Sequence, residues 1–257
     1  TMFNSLNSTG MPLSDADIIS AHLFSHASNK DEFKGIWEPI IQSADKLAQN
    51  KIINIDNVLQ QFMYINRSKE RQYSEGELTT PGVRKYYTVL YPELLETPDT
   101  LCDKFSKILR IWDKIQSYSI VKLMMKFNEN FKLFLISYLF RVPEDEITES
   151  NITPIVECLL RLFALLEVGD YGYSSRYFKT FLFNENFKLV DEAYKIEGIL
   201  EDFNKHISST WKEEDVLTDL MEYDKNILVY LNEYLYAKEH KMPFNFTPEK
   251  VNVEHIM

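Results

Sequence analysis

Glycine, proline and cysteine are all scarce in this chain: 7, 9 and 2 of its 257 residues. Tight turns between strands draw on glycine and proline, so this shortage argues against a many-stranded sandwich or barrel. Two cysteines, Cys102 and Cys158, cannot frame a disulfide scaffold. Their apolar neighbours predict buried thiols in a reducing cytoplasm. Long hydrophobic runs are missing too. The longest spans 131–140 and is broken by Lys132 and Ser137, whereas a membrane span needs roughly 20 apolar residues. No charged n-region with an apolar h-region opens the chain. Positive charge is in deficit: 28 Lys and Arg face 39 Asp and Glu, leaving a net charge of −11. The chain as a whole is therefore no basic nucleic-acid coat. Cytoplasmic location without a membrane partner is expected.

Hydrophobic residues make up 45% and aromatics 14%, which excludes a disordered acidic tail. Nearly every segment has helical periodicity. Phe105, Ile108, Leu109, Trp112 and Ile115 recur at steps of three and four, giving one apolar stripe. Ile155, Leu159, Leu162, Phe163 and Leu166 form a second, with Pro154 suiting the first turn and Gly169 the helix end. Ile199, Phe203, His206 and Ile207 make a third, and Ile227, Leu228, Leu231, Tyr234 and Leu235 a fourth. Start signals precede several of them: Ser14 before Asp15 and Asp17, Asn29 before Asp31 and Glu32, and Thr97-Pro98-Asp99. Only Val251 to Val253 competes as a strand. The expected fold is all-α: an irregular multi-helix bundle divisible into two helical halves, with short non-helical ends. The polar, acidic stretch 141–153 reads as a linker between halves at 30–140 and 154–240, and the prolines of 241–248 break the helical register. The phrase FNENFKL occurs at 127–133 and again at 183–189. The flanks differ, so the reading is a recurring helix start with Asn as cap rather than a solenoid repeat.

Charge is unevenly spread. Residues 50–126 carry 12 basic and 9 acidic side chains, while 127–257 carry 13 and 24. Lys104, Lys107, Arg110 and Lys114 share one helix face, with Arg67, Lys69, Arg71, Arg84 and Lys85 upstream. Such a row is either a solvated face or a phosphate-contacting, DNA-binding surface.

Signatures of catalysis are few. Neither standard glycine-rich phosphate cradle is present, nor H-E-x-x-H, C-x-x-C or G-x-S-x-G. His22 and His26 lie four apart and could share a metal, yet no carboxylate stands one turn away to complete a site. Two short segments at the ends are more specific. The first, Phe3-Asn-Ser-Leu6-Asn7-Ser-Thr-Gly10-Met-Pro-Leu13-Ser14-Asp-Ala-Asp17, is a glycine turn delivering the chain into a helix N-terminus, where backbone N–H groups suit an anion. The second, Val253-Glu254-His255-Ile256-Met257, sets a carboxylate beside a histidine. That pairing resembles the opening phrase of an HNH nuclease, where the carboxylate binds a divalent metal and the imidazole activates water.

In this order the two segments resemble the GmrSD-type restriction proteins, bacterial modification-dependent nucleases of phage defence. The first is similar to that family's F-x-x-L-N-S-x-G-x-x-L-x-x-A-D-L motif, and the second to its I-E-H-I-L-P phrase. The resemblance implies a ParB-like nucleotide-hydrolysing domain closing at 1–29, a helical middle, and an HNH nuclease domain opening at 241–257. It implies a nucleoside triphosphate and a divalent metal such as Mg2+ for the intact parent, and a modified DNA duplex as partner. Asn7, Gly10 and Asp17, the cofactor-binding candidates, would line or brace the closing segment of the nucleotide domain; Glu254 would be the metal-side carboxylate and His255 the general base. Ser20 stands where the family often has Lys or Arg. On this reading the chain is a fragment, inactive by itself and without cofactor or metal of its own; a homo-oligomer is compatible with it. The alternative is an all-α protein–protein interaction module that binds no nucleic acid, its acidic second half suiting a basic partner.

Overall fold

The computed structural model describes residues 13–69, 82–169, 175–222 and 226–246. Every regular element among them is helical, so the all-α expectation holds. The chain divides into two compact units, Thr1–Trp112 and Asp113–Met257.

In the first unit the main helices are α1 Asp15–His26, α2 Lys30–Gln49, α3 Ile55–Lys69 and α4 Pro98–Ile115, the last reaching just past the boundary. Side chains set their starts. Ser14 and Asp17 form a reciprocal capping box on α1. Asn29 Oδ1 accepts from the N–H groups of Asp31 and Glu32 at 3.1 and 3.2 Å. Asn54 and Asn57 each accept the other's backbone N–H, at 2.9 and 3.0 Å, at the head of α3. Each such cap is worth about 1 kcal/mol. The stripe expected on α4 is buried through Phe105, Ile108, Leu109 and Trp112, and Phe105 meets the rings of Trp37, Phe62 and Tyr87. Between α3 and α4 a single turn, Val83–Lys85, runs into a π-helical stretch, Tyr86–Leu90, which the periodicity does not announce. The wider turn brings two consecutive tyrosines inward. Tyr86 and Tyr87 are fully buried, with Tyr87 donating to the Leu59 carbonyl at 2.9 Å and Asn66 donating to the Tyr86 hydroxyl at 2.9 Å.

The second unit holds α5 Ser119–Met124, α6 Phe131–Phe140, α7 Glu149–Val168, α8 Ser175–Lys188, α9 Ile196–Thr210, α10 Glu213–Glu222 and α11 Ile227–Glu239. Helix α7 is the hub, packing on α5, α6, α9 and α10. Helix α6 is apolar all round and most of it is buried, packed by α7 and α8. Three sequence expectations change here. Pro154 is not in the first turn: α7 begins at Glu149, where Thr148 Oγ1 accepts the Asn151 N–H at 3.3 Å, so Pro154 lies inside. The stretch 141–153 thus contains a 3-10 turn, Glu144–Glu146, and the first residues of α7. On α11 the buried face is Tyr230, Tyr234 and Ala237, while Leu235 is exposed. Phe244 and Phe246 pack on Tyr234 and Tyr230, which turns that face inward. Finally, FNENFKL is not a recurring helix start. Its first copy leads into α6, supplying Phe131, Lys132 and Leu133, and its second ends α8, because neighbours outside seven residues decide whether a helix has already begun.

Trp112 Nε1 donates to Gln61 Oε1 at 2.8 Å in the buried core of the first unit. Gln61→Met is expected to cost about 1–3 kcal/mol by orphaning the indole N–H. The double variant Gln61→Met/Trp112→Phe should cost less than the sum of the single variants in urea unfolding followed by fluorescence.

Candidate functional site

Spacing along α4 sets its basic residues opposite or beside the Phe105–Trp112 stripe, with Lys104 one turn from Ile108. Lys104 and Arg110 are exposed and Lys107 is half-buried. Lys114 is exposed but donates to the Glu144 carbonyl at 2.6 Å, within the second unit. The upstream basic residues do not join one surface. Arg67 is only 4% exposed on α3, so its guanidinium is withdrawn from solvent, whereas Lys69 at the helix end is exposed. Arg84 is bound to Asp15 at 2.9 Å and to the Leu13 carbonyl at 3.2 Å, which pins the start of α1. Arg71 lies outside the described residues. Of the expected basic residues, Lys69, Lys104 and Arg110 are exposed and Lys107 is half-buried, whereas Arg67 is withdrawn from solvent.

The end motifs are only partly described. Asn7, Gly10, Glu254 and His255 lie outside the described residues. Asp17 Oδ2 accepts from the Ser14 backbone N–H at 3.0 Å and from its hydroxyl at 2.8 Å. That oxygen takes part in the helix cap. Ser20 donates its hydroxyl to the Asp17 carbonyl at 2.9 Å. His22 and His26 are exposed, and His26 Nδ1 lies 2.9 Å from the His22 carbonyl. Since a carbonyl only accepts, that nitrogen carries the proton. Among the described residues no three His, Cys, Asp or Glu side chains gather into a metal site, and no helix is long and apolar enough to cross a membrane. Burial pushes the Cys102 thiol up to about 12 and the Cys158 thiol to about 11, so both are poor nucleophiles at neutral pH.

Two features escaped the sequence. The first is a polar cluster in the second unit. Glu185, buried on α8, accepts from Lys188 at 2.7 Å, and Tyr194 reaches both Glu185 and Asp202 of α9. Lys188 also pairs with Asp202 at 2.7 Å. Arg141 holds the connecting loop, donating to the carbonyls of Leu189 and Tyr194 at 2.9 and 2.6 Å. Burial works against the Asp202 carboxylate, but hydrogen bonds from Lys188 and Tyr194 outweigh it and lower its pKa. Burial also works against charged Lys188, yet the two carboxylates raise its pKa. The E-N-F-K phrase was the available signal. Its Glu–Lys pair forms in both copies, Glu129 with Lys132 and Glu185 with Lys188. In the first copy the lysine is buried and the glutamate exposed; in the second the glutamate is the buried partner.

The second feature is an apolar cleft of about 370 Å³ between α7 and α11, floored by Leu160, Leu165 and Leu231. Its rim charges are already engaged: Glu157 accepts from Lys238 at 2.6 Å and from Tyr234, and Arg161 donates to Asn204 at 2.8 Å.

The fold and these features define an all-α multi-helix protein of two compact units. Compared with known proteins, the chain matches no protein-family model, no curated protein and no solved structure.

Asp202 has a lowered folded-state pKa, so its contribution is present above its unfolded pKa and lost as pH falls through the folded value. Acid titration of unfolding should show this loss below about pH 4. Asp202→Asn should flatten that part of the profile while lowering stability at neutral pH.

Proposed function

We propose that the chain is the helical middle of a modification-dependent DNA endonuclease of the GmrSD type. It would transmit movement from a nucleotide-handling domain to an HNH nuclease domain, with two discrete helical packings as the physical content of that coupling. In this reading the parent uses a nucleoside triphosphate and a divalent metal such as Mg2+, and works in the cytoplasm in defence against phage. The family assignment rests on the two end segments, with Asn7, Gly10 and Asp17 at one and Glu254 and His255 at the other. The capping box with Ser14 supports a bracing role for Asp17 in that segment. In this reading DNA contact runs through α4, and the single observation that supports it is the run of Lys104, Lys107 and Arg110 at steps of three, with Lys104 and Arg110 exposed and Lys107 half-buried. These side chains would meet duplex phosphates, a contact that positions a protein without reading sequence.

The test is duplex DNA binding by this chain across a salt series. Replacing Lys104, Lys107 and Arg110 by Glu should lower the magnitude of the log–log salt slope by roughly 3, about 0.9 for each phosphate no longer neutralised. Unchanged affinity and slope would remove α4 from the interface. Absence of any retention at low salt, with a clean dimer by light scattering, would favour the all-α interaction module.

A further inference from the structure

Helix α10, Glu213–Glu222, buries none of its residues. It packs on α7, and its less exposed positions are Val216 and Asp219. Val216, Leu217, Leu220 and Met221 span an arc of roughly 140° at 3.6 residues per turn. Three of these four apolar side chains stay in solvent, Leu217 at 54%, Leu220 at 39% and Met221 at 88% exposed. Isolated exposed leucines are ordinary, but an apolar stripe along one helix face is the pattern of an interface.

The charged residues of α10 itself are all of one sign. Glu213, Glu214, Asp215, Asp219 and Glu222 lie on α10, with no lysine or arginine among its ten residues. The first three sit in the first turn, where the helix dipole favours acidic groups. That explanation fails for Asp219 and Glu222, since Glu222 ends the helix where a cation is preferred and the last turn has none. Asp219 and Glu222 therefore work against the helix's own electrostatics. The α7–α11 cleft, by contrast, has rim charges of both signs that pair with protein groups, so nothing there selects a partner.

We propose that α10 is a docking helix for a basic, amphipathic segment of another protein. The partner lays apolar anchors against Leu217, Leu220 and Met221, and its Lys or Arg side chains face the exposed Glu213 and Glu214 beside that stripe. Helix-on-helix recognition of this kind reads anchors at i, i+3, i+4 and i+7. The charge pairs fix orientation and speed association more than they add affinity. This inference does not depend on the DNA reading, which concerns α4 of the first unit.

The probe is a fluorescent helical peptide of roughly 18 residues with Leu at i, i+3, i+4 and i+7 and Lys elsewhere. A twin carries Glu in place of Lys. Anisotropy with the full chain should show the basic peptide binding and the acidic twin not. Leu217→Gln with Met221→Gln should weaken binding about tenfold or more, with the thermal midpoint unchanged because both side chains are exposed. A control set in the same unit, Glu144→Gln, Asp145→Asn and Glu146→Gln, should leave binding within about twofold. Weakening by the control set with none from the charge-neutral Leu217→Gln/Met221→Gln pair would mean that the peptide reads only the unit's net charge, and would overturn the proposal, as would equal weakening by both sets. Self-association that the same two substitutions abolish would make a second copy the occupant, and would also overturn it.

Discussion

The first unit depends on one buried polar pairing inside an aromatic core. Trp112 is fully buried, and its indole N–H needs a partner that water cannot supply. Gln61 provides it from α3. The pairing registers α3 against α4, and Phe105, further along the same stripe, then meets Trp37, Phe62 and Tyr87. Tyr86 and Tyr87 repeat the solution from the π-helical stretch, each with its hydroxyl satisfied from α3. An apolar contact tolerates sliding; a buried hydrogen bond does not, and here it converts a greasy interface into one arrangement.

The second unit reaches the same end differently. Its hub, α7, offers apolar neighbours on several sides, and α6 is wrapped on all of its own. Specificity comes from polar groups that join elements distant in sequence: Ser137 with Asn186, Arg141 with the loop at Leu189 and Tyr194, and Glu185 with Lys188, Tyr194 and Asp202. A buried carboxylate is costly alone, so Glu185 is sustained only while Lys188 and Tyr194 stay in place. This cluster holds the ends of α6, α8 and α9 together, which leaves α10 to be carried on α7 with its apolar side outward.

The helices and most of the core are legible in the sequence because burial follows a period of 3.6 residues. The α4 stripe and the α1 and α2 caps are plain cases. The departures share a cause. Pro154 looks like a helix start because proline is favoured there, yet Thr148 captures an earlier N–H and the helix absorbs the proline. The α11 stripe shifts because Tyr230 and Tyr234 bury their rings under Phe244 and Phe246, contacts that no local window contains. Of the candidate site, the basic row of α4 is legible as spacing. The withdrawal of Arg67 and the capture of Arg84 by Asp15 are not, since both depend on which helix lies beside them.

By itself, then, the sequence determined the all-α class, the acidic balance, the apolar stripes and the caps, because each follows from composition or from neighbours within a turn. Tertiary structure alone decided which charges remain on the surface and which apolar side chains stay uncovered. It also decided that one seven-residue phrase leads into a helix at 127–133 and ends one at 183–189. These outcomes turn on burial, and burial is a property of what packs alongside, set by contacts between residues tens of positions apart.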